Sequence, residues 1–178
     1  MPVPDFSPGE VLTAAAMDSI GLWLVKTQTV GTGVSSVTVT DAFNANYQNY
    51  RISYSGGTQS ATGSLSLRLG LSTTGYFGFL TYGVVTSSTV LGAGNNNAAA
   101  WSWIGGGTAN QATHLACDLY NPFGAAFTKV RNGAYQDDNA YGTMQGEHRV
   151  ASAYDNFTIS ISAGSLTGGT IRVYGYRN

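Results

Sequence analysis

Charge is what this 178-residue chain has least of. It carries 8 basic and 9 acidic residues, 10% of the total, for a net charge of −1, where an ordinary soluble chain is roughly 25% charged. So few ions exclude a coiled coil or a charge-expanded disordered tail. The absence of a basic excess removes the electrostatic footprint needed to bind nucleic acid. No run of about 18 apolar residues occurs, so no membrane-spanning helix is expected. Met1 to Phe6 has neither a basic start nor an apolar run, so a classical secretory leader is not expected. A single cysteine, Cys117, rules out a disulfide framework or a cysteine-based metal site within one chain. In the alternating stretch His114 to Tyr120 it reads as a small buried hydrophobe.

Titratable groups are equally sparse. The two histidines, His114 and His148, belong to no H-E-x-x-H or H-x-H spacing. His114 reads as a satisfied strand side chain, and Glu147-His148-Arg149 as a solvated charge cluster. Asp137-Asp138-Asn139 is a polar loop that lacks the spaced oxygen ligands of a calcium site. There is no G-x-S-x-G elbow, and Gly31-Thr32-Gly33 lacks the third glycine of a dinucleotide fingerprint. Glycoside hydrolysis needs two facing carboxylates, and only Asp137, Asp138 and Glu147 are on offer. The reading is a non-enzymatic protein with no cofactor and no metal.

Glycine (24 residues), tyrosine (11) and apolar residues in general (43%) are what the chain does have. From about Thr29 the apolar period is two. Tyr50, Ile52 and Tyr54 alternate with Arg51 and Ser53, and Leu65, Leu67, Leu69 and Leu71 with Ser66, Arg68 and Gly70. Phe157, Ile159 and Ile161 do the same, as do Ile171 and Val173. Each is the pattern of a half-buried strand. Glycine and Asn-Pro punctuation at Gly31-Thr32-Gly33, Gly56-Gly57, Gly92-Ala93-Gly94, Gly105-Gly106-Gly107, Asn121-Pro122, Asn132-Gly133 and Gly168-Gly169 reads as turns. Eight to ten strands at this spacing predict an all-β fold over residues 28–178. The expected architecture is an antiparallel β-sandwich head, with a jelly roll as the leading topology. Tyr47 to Ser55 and Tyr154 to Ser162 echo one another: an aromatic, an Asx turn, then alternating apolar residues.

Residues 1–27 differ. Pro2, Pro4 and Pro8 favour an extended arm. Ser7-Pro8-Gly9-Glu10 has capping-box spacing, and Leu12 to Ile20 is the one good helical stretch, stopped by Gly21. Two turns of helix are unstable alone, so this segment is expected to pack either on its own sandwich or on a partner protein. Aromatic residues concentrate at Tyr76, Phe77, Phe79 and Tyr82 and at Trp101 and Trp103. Exposed on loops, Tyr76, Phe79, Tyr82 and Trp101 would form a receptor- or sugar-binding surface; the competing reading places most of them in the core.

Asp5 to Asp18, with Phe6-Ser7-Pro8-Gly9-Glu10-Val11-Leu12-Thr13-Ala14-Ala15-Ala16-Met17, resembles the F-x-x-G-E-V-L-T-A-A-x-M-N segment at the attachment end of tailed-bacteriophage tail and fibre proteins. Asp18 stands where that pattern commonly has Asn. Asp41-Ala42-Phe43 and Tyr47 to Ile52, and the ending Gly168 to Tyr176, are also similar to phage particle proteins; Ser72 to Arg149 matches no such motif. The resemblance implies a structural protein of a tailed-phage virion, a β-sandwich head on an N-terminal anchor, commonly homotrimeric and assembled in the host bacterial cytoplasm. Its partners would be other capsid or tail proteins, with a host surface glycan as a further candidate. The anchoring side chains it implies are Phe6, Pro8, Val11, Leu12, Met17, Ile20 and Trp23. Tail fibre subunit and capsid decoration (cement) protein both remain open.

Overall fold

A computed structural model describes residues 21–87, 89–137 and 139–176. The expected arm and the helix over Leu12 to Ile20 lie outside them, as do the anchor candidates Phe6, Pro8, Val11, Leu12, Met17 and Ile20. The described residues form no helix and twelve strands: β1 (Leu22–Thr29), β2 (Ser36–Val39), β3 (Asn49–Gln59), β4 (Gly63–Leu69), β5 (Tyr76–Val84), β6 (Val90–Ala98), β7 (Trp101–Gly107), β8 (Ala112–Tyr120), β9 (Thr128–Gln136), β10 (Ala140–His148), β11 (Phe157–Ile161) and β12 (Leu166–Tyr176). All their pairings are antiparallel, so the all-β, antiparallel expectation is met. β1 runs across the expected domain boundary at residue 27 and pairs with β12 from Leu22↔Tyr176 to Thr29↔Thr170.

The sheet branches at β8. One edge of β8 pairs with β3 along its length. The other edge is shared: Leu115 and His114 pair with Gly105 and Gly106 of β7, and Asp118 to Tyr120 pair with Arg131 to Lys129 of β9. From β7 the order continues β4-β11-β2, and from β9 it continues β10-β5-β6, while β3 leads through β12 to β1. Buried Gln59, at the end of β3, ties this junction together. Its amide nitrogen donates to the carbonyls of Gly107, Ala61 and Gly63, and its oxygen accepts from the Thr113 hydroxyl at 3.1 Å.

Alternation places the core as expected where the side chains are large. Tyr50, Ile52 and Tyr54, Leu65, Leu67 and Leu69, Leu115, Cys117 and Leu119, Phe157 and Ile159, and Ile171 and Val173 are buried in one cluster. Leu71 is the exception, at 90% exposed, because β4 has ended and Gly70 (φ 50°) turns the chain. The two echoed segments become β3 and β11. Their equivalent rings, Tyr50 and Phe157, both pack on Phe43, at centroid distances of 4.9 and 5.6 Å.

Several expected turns lie inside strands instead: Gly56-Gly57 in β3, Gly92-Ala93-Gly94 in β6, Gly105-Gly106-Gly107 in β7, Asn132-Gly133 in β9 and Gly168-Gly169 in β12. The reason in β7 is close approach. A Cβ on Gly106 would stand 2.5 Å from the Gln136 carbonyl oxygen and 2.8 Å from that of Gly63. Glycine there lets β7 lie tightly against its neighbours.

Candidate functional site

β5 is the strand that sorts the aromatic residues. Tyr76 and Leu80 are buried on one face, with Tyr82 half-buried beyond them; Phe79, on the other face, is 67% exposed. Residues 76–82 therefore lie in β5, and 95–98 and 101–103 in β6 and β7, rather than on display loops. Tyr76 and Trp101 have no exposed surface, so these two members of the expected receptor surface belong to the core. Of the set, only Phe79 and Tyr82 reach solvent, and on opposite faces of β5.

His148 also departs from its expected setting. It is fully buried, while Glu147 and Arg149 on either side are accessible and pair with each other at 2.5 Å. Its Nε2 lies 2.9 Å from the Ser72 hydroxyl and 3.1 Å from the Thr74 carbonyl oxygen, and its ring packs against Tyr76, Trp101 and Tyr154. Burial pushes its pKa down, against the opposing pull of the Thr74 hydrogen bond. Among the described residues no carboxylate hydrogen-bonds the ring; its Nδ1 lies 3.5 Å from the Tyr154 hydroxyl. Cys117 is buried as expected, and burial pushes its thiol up to about 12, far from a reactive thiolate.

Beyond the Tyr76–Trp101 contact, the same face of β5 opens into a cleft of about 350 Å³. It is lined by Leu80, Tyr82, Val84, Ala93, Trp103, Tyr135, Asp137, Asn139 and Ala140. Tyr82 and Tyr135 meet edge to face with centroids 6.4 Å apart. Asp137 forms the rim: its Oδ1 accepts from the backbone N–H groups of Asn139 and Ala140, and its Oδ2 accepts from the Tyr135 hydroxyl at 2.5 Å.

Trp103 reaches this cleft through a bulge. Leu65 pairs with Gly105 and Leu67 with Trp101, so a two-residue step on β4 faces a four-residue step on β7. Trp103 sits within that bulge at φ 61°, a conformation that bulky side chains avoid. The break in alternation buries both Trp101 and Ile104 and leaves Trp103 half-buried between them. Asn95 of β6 fixes the approach, accepting from the Ser102 backbone N–H at 3.0 Å and donating to the Ser102 hydroxyl at 3.2 Å. Trp103 stands in the aromatic cluster the sequence shows, but Tyr135 and this use of Asp137 were not legible, because the bulge that gathers the three leaves no periodic signal.

On the opposite face of β5, a shallower groove of about 290 Å³ runs past Phe77, Phe79, Gln145, Glu147, Lys129 and Arg131. The Arg149 guanidinium lies 4.6 Å above the Phe77 ring. Trp23, the one anchor candidate among the described residues, lies in β1 opposite Gly175. It is half-buried, and its indole N–H is buried without a hydrogen-bond partner. Among the described residues no three metal-ligating side chains gather at one point, and no helix is long and apolar enough to cross a membrane. No protein-family model matches the chain, and no curated protein sequence matches it.

Proposed function

We propose that the chain is a non-enzymatic structural protein of a tailed-phage virion: a β-sandwich head joined to the particle through its N-terminal segment, residues 1–27, with homotrimeric assembly and other capsid or tail proteins as partners. The state of the sheet edges carries this reading. Among the described residues β1, β2 and β6 each pair along one edge only. β2 and β6 contain no charged residue and β1 only Lys26, and β6 exposes Val90 and Leu91. Edges that face water are normally guarded by lysine, proline or a charge that blocks strand addition; edges covered by neighbouring subunits need no guard. The phage-like ending forms β12, and the phage-like N-terminal segment leads into β1, its partner. Packing of Phe43 between Tyr50 of β3 and Phe157 of β11, strands that do not pair with each other, favours a sandwich for the branched sheet.

Deleting residues 1–21 tests the anchor: a folded head that no longer enters particles is expected, and normal incorporation would overturn it. Copies per particle then separate capsid decoration, with many, from a tail or fibre position, with few. A receptor-binding role is the second reading, favoured by the aromatic cleft beside Trp103.

A further inference from the structure

We propose that the cleft between β5, β6, β7 and β9 binds an uncharged pyranose, with Trp103, Tyr82 and Tyr135 as its apolar walls and Asp137 as its fixed acceptor. This deepens the receptor-binding reading and rests on it. Four observations carry it. The volume, about 350 Å³, falls in the range of small-ligand sites, roughly 300–1,000 Å³. Three half-buried rings line it, and aromatic faces pack against the C–H faces of sugars while leaving the hydroxyls free to hydrogen-bond.

The Asp137 carboxylate has about four lone-pair positions. Three are taken, by Tyr135 and by two backbone N–H groups. The carboxylate is thereby held in place with acceptor capacity left for a sugar hydroxyl. Finally, Trp103 is held in a left-handed conformation within a four-residue bulge step, a strained arrangement of the kind concentrated at ligand sites. Among the described residues the lining contains no Lys or Arg, so a uronic or sialic acid would meet Asp137 with no compensating cation. That selects neutral sugars.

The test is NMR titration of the full chain with neutral trisaccharides ending in glucose, galactose or N-acetylglucosamine, alongside a glucuronic-acid-ending trisaccharide and choline. The expected result is movement of the Trp103 indole and Tyr135 signals with at least one neutral sugar and with neither charged probe. Trp103→Gly suits the positive φ, so it removes the ring without straining the backbone, although the lost packing on the core lowers the melting temperature; in a variant that still gives a folded spectrum at the titration temperature, binding should weaken about tenfold or more, the equivalent of 1.4 kcal/mol. Asp137→Asn should also weaken binding, and Phe79→Ser, on the opposite face, should leave it intact. Silence from all neutral sugars, binding of choline alone, or full affinity in Trp103→Gly would overturn the proposal. Adsorption of the purified protein to host cells separates the two readings. Adsorption with no sugar binding at the cleft removes this site while keeping a receptor role; sugar binding without adsorption keeps the site and removes the receptor role.

Discussion

Tyr76 and Trp101 meet edge to face, with ring centroids 5.1 Å apart and planes at 86°. Both are fully buried, and both have their polar atoms engaged. The Tyr76 hydroxyl accepts from the Leu69 N–H at 2.7 Å, and the Trp101 indole donates to the Phe77 carbonyl at 3.2 Å. The pair closes the core where β5 lies over β7. Trp101→Ala should therefore cost about 3–5 kcal/mol of stability, read as a lower urea midpoint. A variant with the wild-type midpoint would show that Trp101 packs against little.

Phe79, three residues from Tyr76 and on the other face, should behave in the opposite way. It is 67% exposed, facing Gln145 on β10 and Gly94 on β6. Phe79→Ser is expected to change stability by no more than about 0.5 kcal/mol. A large drop in melting temperature would mean that the ring packs within the fold.

His148 gives the fold a pH dependence of predictable sign. Burial holds its pKa below the ordinary value of about 6.5, and the side chains it touches, Ser72, Tyr76, Trp101 and Tyr154, carry no charge to favour the imidazolium. The unfolded chain therefore binds the proton more readily. The stability contributed by neutral His148 is complete above about pH 6.5 and is lost as pH falls from there toward the lowered folded value. The slope is at most about 1.4 kcal/mol per pH unit. Urea midpoints from neutral to mildly acidic pH should fall in the wild type and stay flatter in His148→Gln; equal slopes would remove His148 as the source.

What the sequence makes legible depends on the size of the side chains on the buried face. β3, β4, β8, β11 and β12 put Tyr, Leu, Ile, Val or Phe there, and their alternation is readable without coordinates. β6 and β10 put Ala93 and Asn95, and Ala140, Gly142 and Gly146, into the corresponding positions, and the exposed Gly92 and Gly94 beside Ala93 read as punctuation. His148 looked solvated because Glu147 and Arg149 flank it, yet the spacing Met144, Gly146, His148 carries the information that it faces inward opposite Gln145 and Glu147. Aromatic density at Tyr76 to Tyr82 gave no face, so buried Tyr76 and exposed Phe79 could not be told apart. The Trp103 cleft depends on a bulge between β4 and β7, and no local pattern encodes which residue a bulge will turn outward.

Two glycines separate a packing requirement from a sequence habit. Gly106 lies in β7 where an added Cβ would press on the backbone oxygens of Gln136 and Gly63, and neither backbone can withdraw without breaking pairing. Gly106→Ala should therefore destabilise by about 1–3 kcal/mol, as overpacking does. Gly83 lies in β5, and a Cβ there meets nothing within 4 Å; its φ is not in the left-handed region. Gly83→Ala should be neutral or stabilise by about 0.4–1 kcal/mol, because alanine narrows the unfolded ensemble without a clash. Thermal melts of the two variants side by side make the comparison. Equal losses at both positions would mean that chain flexibility, rather than close approach of β7 to its neighbours, accounts for glycine in these strands.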